Sequence, residues 1–123
     1  MILGLGIDVV EVARIERAIS NPRFLARILT PREAELIRNP SEAAGRWAAK
    51  EALAKAVPGL RAWQDVEILR GSQGEPVVNF VAGVLGPGQR VHLSITHERG
   101  VAAAVAILEG FSEDFGTSTR QSD

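Results

Sequence analysis

Ala44-Gly45-Arg46-Trp47-Ala48-Ala49-Lys50-Glu51-Ala52-Leu53-Ala54-Lys55-Ala56 is the stretch that decides the fold. It is rich in alanine, the strongest helix former, and no proline interrupts it. At about 100° per residue, Ala48, Ala49, Ala52 and Ala56 fall on one side of the helix, where small side chains let a sheet approach closely. Trp47, Glu51 and Lys55 line the opposite edge beside Arg46 and Lys50, a mixed charged edge next to an aromatic. Ser41, following Asn39-Pro40, is placed to cap this helix, and Pro58-Gly59 ends it near Ala56.

Working outward, the apolar run Ile2 to Val10 predicts a buried strand. Glu11 to Ser20 sets Val12, Ile15 and Ile19 on one helical face with Arg14 and Arg17 turned elsewhere, and Asn21-Pro22 ends that helix. Thr30-Pro31-Arg32-Glu33 combines an N-cap, a proline at the first helical position and a capping-box glutamate, starting a short helix that runs to about Arg38. From Val66 onward, short apolar stretches are punctuated by Gly71, Gly74-Glu75-Pro76 and Gly86-Pro87-Gly88, the signature of strands joined by turns. Asn79 to Leu85 is read as a brief helix. Val91, Leu93 and Ile95 alternate with His92, Ser94 and Thr96, and His97-Glu98-Arg99-Gly100 turns the chain into the apolar run Val101 to Leu108, a hairpin with a buried second strand. One domain over residues 1–109 is expected, with the polar segment 110–123 as a flexible tail.

Composition narrows the chemistry. The 123 residues suit one core, and 46% hydrophobic with 24% charged residues is ordinary for a globular protein. A net charge of −1 gives no sign of a nucleic-acid partner, and the absence of cysteine excludes disulfides, thiolate zinc sites and cysteine nucleophiles. The apolar start reaches a charge at Asp8 without a basic leader, so it is not read as a signal peptide, and no membrane-spanning run is seen. A cytoplasmic protein is expected.

Several residues have both a plain and a chemical reading. Glu51 and Lys55 form either a solvated i, i+4 ion pair, contributing about 0.3–0.5 kcal/mol, or part of a site. Against the first stands the choice of residue: among 14 basic side chains only Lys50 and Lys55 are lysines, and a lysine ammonium can titrate and donate a proton where a guanidinium effectively cannot. Asp8, near the end of the first strand, either caps the helix starting near Glu11 or projects beyond the sheet as a metal ligand, since two carboxylates from different elements suffice for Mg²⁺. His97 is either a turn residue or a catalyst, and His92 is read as structural. Arg14, Arg17, Arg23, Arg27 and Arg32 stand against Glu16 alone, a local charge of +4 (five minus one). That patch is either a solvated face or, with Phe24 and Leu25 among the arginines, an anchor for an acidic partner.

Four ordered blocks carry a resemblance: Gly6-Ile7-Asp8 followed by Arg14; Arg23-Phe24 with Arg27; Gly45-Arg46-Trp47-Ala48-Ala49-Lys50-Glu51-Ala52 with Lys55; and Ser94-Ile95-Thr96-His97. Over residues 1–109 the chain resembles the holo-acyl-carrier-protein synthases, a branch of the phosphopantetheinyl transferases. The resemblance implies an α+β fold with a long helix packed on a small antiparallel sheet, assembled as a homotrimer whose active sites lie between subunits. It implies Mg²⁺ on Asp8 and Glu51, coenzyme A phosphates near Arg46, Lys55 and His97, and an acyl carrier protein received by Arg14, Arg23, Phe24 and Arg27. Glu51, Lys55 and His97 become the candidate catalytic residues for transfer of the 4′-phosphopantetheine group of coenzyme A to a carrier serine in support of fatty acid biosynthesis. Arg32-Glu33-Ala34-Glu35-Leu36 is similar to the acidic helix of Nudix hydrolases but lacks their upstream glycine and glutamate. An RNA-binding module is disfavoured by net acidity and the absence of tyrosine.

Overall fold

Alternation in Ile2-Leu3-Gly4-Leu5-Gly6-Ile7-Asp8-Val9-Val10 sorts this stretch onto two unlike faces, because successive strand side chains point in opposite directions. In the computed structural model, which describes residues 1–111, the stretch forms β1 (Ile2–Glu11). Leu3, Leu5, Ile7 and Val9 share one face and are 38–64% exposed, so the strand is not buried on both sides as its apolar composition predicted. Gly4 and Gly6 share the other face, where a Cβ would stand 2.0 Å from the carbonyl oxygens of Ala56 and Ala52 respectively. Only glycine permits so close an approach.

The chain continues through α1 (Val12–Ala18), α2 (Pro22–Ile28), α3 (Pro31–Leu36) and α4 (Pro40–Ala56). Three of these starts use one device, a side-chain acceptor followed by proline. Asn21, Thr30 and Asn39 accept from the backbone N–H of Arg23, Glu33 and Glu42, and Pro22, Pro31 and Pro40 open the helices. Asn39, rather than Ser41, therefore caps the 17-residue α4. Asn21-Pro22, read as a stop, is also the start of α2.

A 3₁₀ turn at Trp63–Asp65 leads into β2 (Val66–Arg70), which pairs antiparallel with β3 (Pro76–Phe80). Asn79 and Phe80 belong to this strand, not to a helix; their β-sheet partners Glu67 and Val66 decide the conformation. β4 (Arg90–Glu98) and β5 (Val101–Glu109) form the hairpin, but its turn is only Arg99-Gly100, both at positive φ (40° and 80°). His97 is thus a strand residue paired with Ala102. The second strand is buried on one face only, through Ala102, Ala104, Ala106 and Leu108. At its far end the half-buried Glu109 is drawn down to about 2 by hydrogen bonds from His92 and Arg90 and by the charge of Arg90.

The main sheet runs β1-β5-β4, all antiparallel. α4 packs across its inner face, with Ala48, Ala49, Ala52 and Ala56 all at most 1% exposed in the core. The small-residue side foreseen in the sequence is the side that meets the sheet. Residues 112–123, most of the expected tail, lie outside the described residues. Among the described residues no helix is long and apolar enough to cross a membrane.

Candidate active site

Close packing of α4 on β1 brings Asp8 under the last turns of the helix. Lys55 Nζ donates to the Ile7 carbonyl at 2.8 Å and to Asp8 Oδ1 at 3.3 Å. Asp8 Oδ2 is buried and, among the described residues, has no hydrogen-bond partner. Asp8 does not cap α1, whose N-cap is Glu11 without a side-chain bond. Glu51 lies one turn before Lys55 on the same face of α4, and its carboxyl is pushed up, first by burial and then by the charge and hydrogen bonding of Asp8; Lys55 and Arg14 oppose the shift but do not cancel it. Two carboxylates are therefore held together in a partly dry place, one with an orphaned oxygen. A hard divalent cation that takes oxygen ligands and keeps sites for water and phosphate fits this donor set. Among the described residues no group of three or more His, Asp or Glu side chains gathers as a metal cluster, so a cation here would rely on few protein ligands, as Mg²⁺ does.

A groove of about 200 Å³ opens beside the start of α4, lined by Arg38, Glu42, Arg46, Arg70, Ile95 and His97 among others. Arg46 is buried and fixed by donating Nε to the Ile68 carbonyl at 3.0 Å. Arg38 clamps Glu42 through Nε (3.1 Å) and Nη2 (2.8 Å), and Arg70 approaches the same carboxylate at 3.5 Å. Three guanidiniums face one carboxylate, an excess of positive charge suited to phosphate. The groove brings together Arg46 and His97 and adds Arg38 and Arg70, whereas Lys55, grouped with the first two in the sequence reading, lies outside its lining and beside Asp8. Arg38 and Arg70 stand 32 positions apart (70 minus 38), Arg38 in the link before α4 and Arg70 at the end of β2, with no spacing signal to join them.

Arg46 and Lys50 do not lie on the charged edge predicted for α4. Both are buried, because α3 and β2 cover that side of the helix as well. Lys50 Nζ donates to Glu33 Oε1 (2.7 Å), the Ile28 carbonyl (2.7 Å) and the Trp63 carbonyl (2.8 Å), which uses all three ammonium donors. Burial holds its pKa below the usual lysine value against the opposing pull of Glu33.

Of the residues expected to receive a partner, Arg23 and Arg27 are exposed one turn apart on α2, whereas Arg14 on α1 lies near enough to Glu51 to act on its titration. Phe24 is half-buried and meets Trp47 edge-on at 5.8 Å, and Trp47 meets Trp63 at 4.7 Å, an aromatic run from α2 across α4.

The profile of the 4′-phosphopantetheinyl transferase superfamily matches residues 4–107. The chain belongs to that superfamily. Within it the likeness is to holo-acyl-carrier-protein synthases. The synthase of Beutenbergia cavernae is 41% identical over 117 residues, covering 89% of this chain and 99% of the relative. The structure of the Helicobacter pylori synthase in complex with coenzyme A superposes with a TM-score of 0.77 at 30% identity, over 85% of this chain and 99% of that one. The Bacillus anthracis synthase, in complex with coenzyme A (3′,5′-ADP), gives 0.76 at 32% identity, over 90% and 99%. This phosphopantetheinyl transferase has the α+β fold, with a small antiparallel sheet and helices, of those synthases.

Proposed function

We propose that this chain transfers the 4′-phosphopantetheine group of coenzyme A to a serine of apo acyl carrier protein, releasing adenosine 3′,5′-bisphosphate, in a magnesium-dependent cytoplasmic reaction that supports fatty acid biosynthesis. The pairing of Asp8 with Glu51 beside Lys55 carries this conclusion, because two neighbouring carboxylates, one raised in pKa and one with a buried oxygen lacking a partner, next to an ammonium suit a diphosphate that arrives with a cation. Residues 1–109 would form the single catalytic domain.

Asp8 and Glu51 would hold Mg²⁺, which when bound neutralises diphosphate charge and favours attack at phosphorus. Lys55, held by the Ile7 carbonyl and Asp8 yet 55% exposed in its side chain, would place a positive charge where the leaving phosphate develops negative charge. Arg46, with Arg38 and Arg70, supplies a fixed cationic groove for the phosphates of the adenosine portion. The serine Oγ forms a bond to the β-phosphorus as the bond from that phosphorus to the bridging oxygen breaks, and adenosine 3′,5′-bisphosphate departs with the electron pair. The serine proton passes to Glu51 or to His97. Arg14, Arg23, Phe24 and Arg27 would receive the acidic carrier.

The active form would be a homotrimer with sites between subunits. The exposed row Leu3, Leu5, Ile7 and Val9 is the kind of apolar face that a second copy covers. His97 lines both the arginine groove and a hollow with Thr96, Arg99 and Val101 on the open side of the sheet, so a copy seated there would border the groove.

Release of adenosine 3′,5′-bisphosphate from coenzyme A tests the assignment. Wild type with Mg²⁺ and apo carrier should release it. Chelator or Asp8→Asn should slow release by roughly 10²-fold or more, the scale of losing a principal charge-stabilising group. Undiminished release in Asp8→Asn would remove Asp8 from the site.

A further inference from the structure

Lys50 and Glu33, both wholly buried, form an ion pair that the reaction as proposed does not use. The carboxylate accepts three hydrogen bonds: Oε1 accepts from Lys50 and from the Thr30 N–H (2.8 Å), and Oε2 accepts from the Ile68 N–H (2.7 Å). Stability alone explains such a pair poorly, since apolar replacements of buried ion pairs are often neutral or stabilising. An ammonium does something a methyl group cannot: from one fixed point it binds carbonyls belonging to different elements.

Those carbonyls are informative. α2 has seven residues, too few to be stable alone, and the last four carbonyls of any helix lack intrahelical partners. Two of the four in α2, and the carbonyl of its C-cap Leu29, receive side-chain donors from elsewhere in the fold. Lys50 donates to Ile28, and Gln64 Nε2 donates to Ala26 and to Leu29, the latter at 2.8 Å. A positive charge at a helix C-terminus is also favourable. Lys50 immediately precedes Glu51, so one turn of α4 carries both the anchor of α2 and a carboxylate of the metal pair.

We propose that Lys50 and Gln64 are positioning residues that hold α2, with Arg23, Phe24 and Arg27, at a fixed place relative to Glu51. The inference rests on the carrier-docking role proposed above and adds what sets the docking surface against the reacting centre. Neither residue touches the reacting atoms. Their loss should weaken carrier binding while leaving coenzyme A binding alone.

Steady-state kinetics with each substrate varied in turn separates these effects. Gln64→Leu removes both donors from an exposed side chain, and its melting temperature verifies folding. It should raise KM for apo acyl carrier protein about tenfold, the scale of losing such hydrogen bonds. KM for coenzyme A and kcat at saturating carrier should stay within about twofold of wild type. Lys50→Met should act in the same direction and more strongly, with Lys50→Arg restoring part of the loss; if Lys50→Met does not fold, Gln64→Leu decides. A folded Gln64→Leu with unchanged carrier KM, or with both KM values rising together, overturns the positioning role. A wild-type protein that modifies no carrier would instead overturn the proposed function, and this inference with it.

Discussion

At Glu51 the demands of folding and of chemistry oppose each other. Its pKa in the folded chain is raised by burial and by Asp8, so its favourable contribution is complete at pH below the ordinary carboxylate range and is lost as pH rises through the raised folded value. The metal-free protein should therefore lose thermal stability across that window. Mg²⁺, which requires the ionised pair, should raise the melting temperature more at pH 8 than at pH 5. Glu51→Gln should melt a few degrees higher than wild type at pH 8 without metal and lose the Mg²⁺-dependent gain; calorimetry at both pH values checks both statements, and an unchanged melting temperature would contradict the strained pair. His97 yields a second prediction at this scale. If it takes the serine proton, His97→Ala should lower kcat by roughly 10²-fold or more, the scale of a general base, in steady-state kinetics at saturating coenzyme A and carrier. The sequence made the candidates Asp8, Glu51 and Lys55 legible through residue type and order. It misplaced Lys50, because a helical wheel gives the angle of a side chain but not what covers that angle; here α3 and β2 do, through Glu33 and the Ile68 backbone.

Between elements, Gly6 controls the distance from Asp8 to Glu51. Gly6→Ala would put a methyl group 2.0 Å from the Ala52 carbonyl oxygen and 2.9 Å from the Lys55 Cβ, neither of which can yield without moving α4. A loss of about 2–3 kcal/mol is expected in urea unfolding, the upper part of the range for overpacking, together with weakened Mg²⁺ binding because α4 carries Glu51 away from β1. Asn39→Ala should cost about 1 kcal/mol through loss of the α4 cap. The start of α3 was legible from Thr30-Pro31 with Glu33, since both halves of the capping box lie within four residues. The same signal in Asn21-Pro22 was hidden by a preceding helix, so it read as an end. Asn79 to Leu85 was misread because the pairing of β3 with β2 is a nonlocal contact that seven residues cannot report.

For the whole molecule, the open sheet face is the feature least legible from the sequence. Ile2 to Val10 looks buried because its residues are apolar, yet within one chain Leu5, Ile7 and Val9 are more than 60% exposed. Strand alternation tells which residues share a face, not whether another chain covers it. Ile7→Lys, which should leave the fold intact, is expected to convert the assembly to monomer in light scattering and to lower activity with it; wild type that is monomeric at the same concentration would contradict assembly through this face. The transferase assignment itself is tested most directly by intact-mass spectrometry of apo acyl carrier protein after incubation with this protein, coenzyme A and Mg²⁺, with Glu51→Ala alongside. The predicted result is a carrier heavier by one phosphopantetheine group with wild type and unchanged with Glu51→Ala or chelator. An unmodified carrier with wild type, or a modified one with Glu51→Ala, would contradict it.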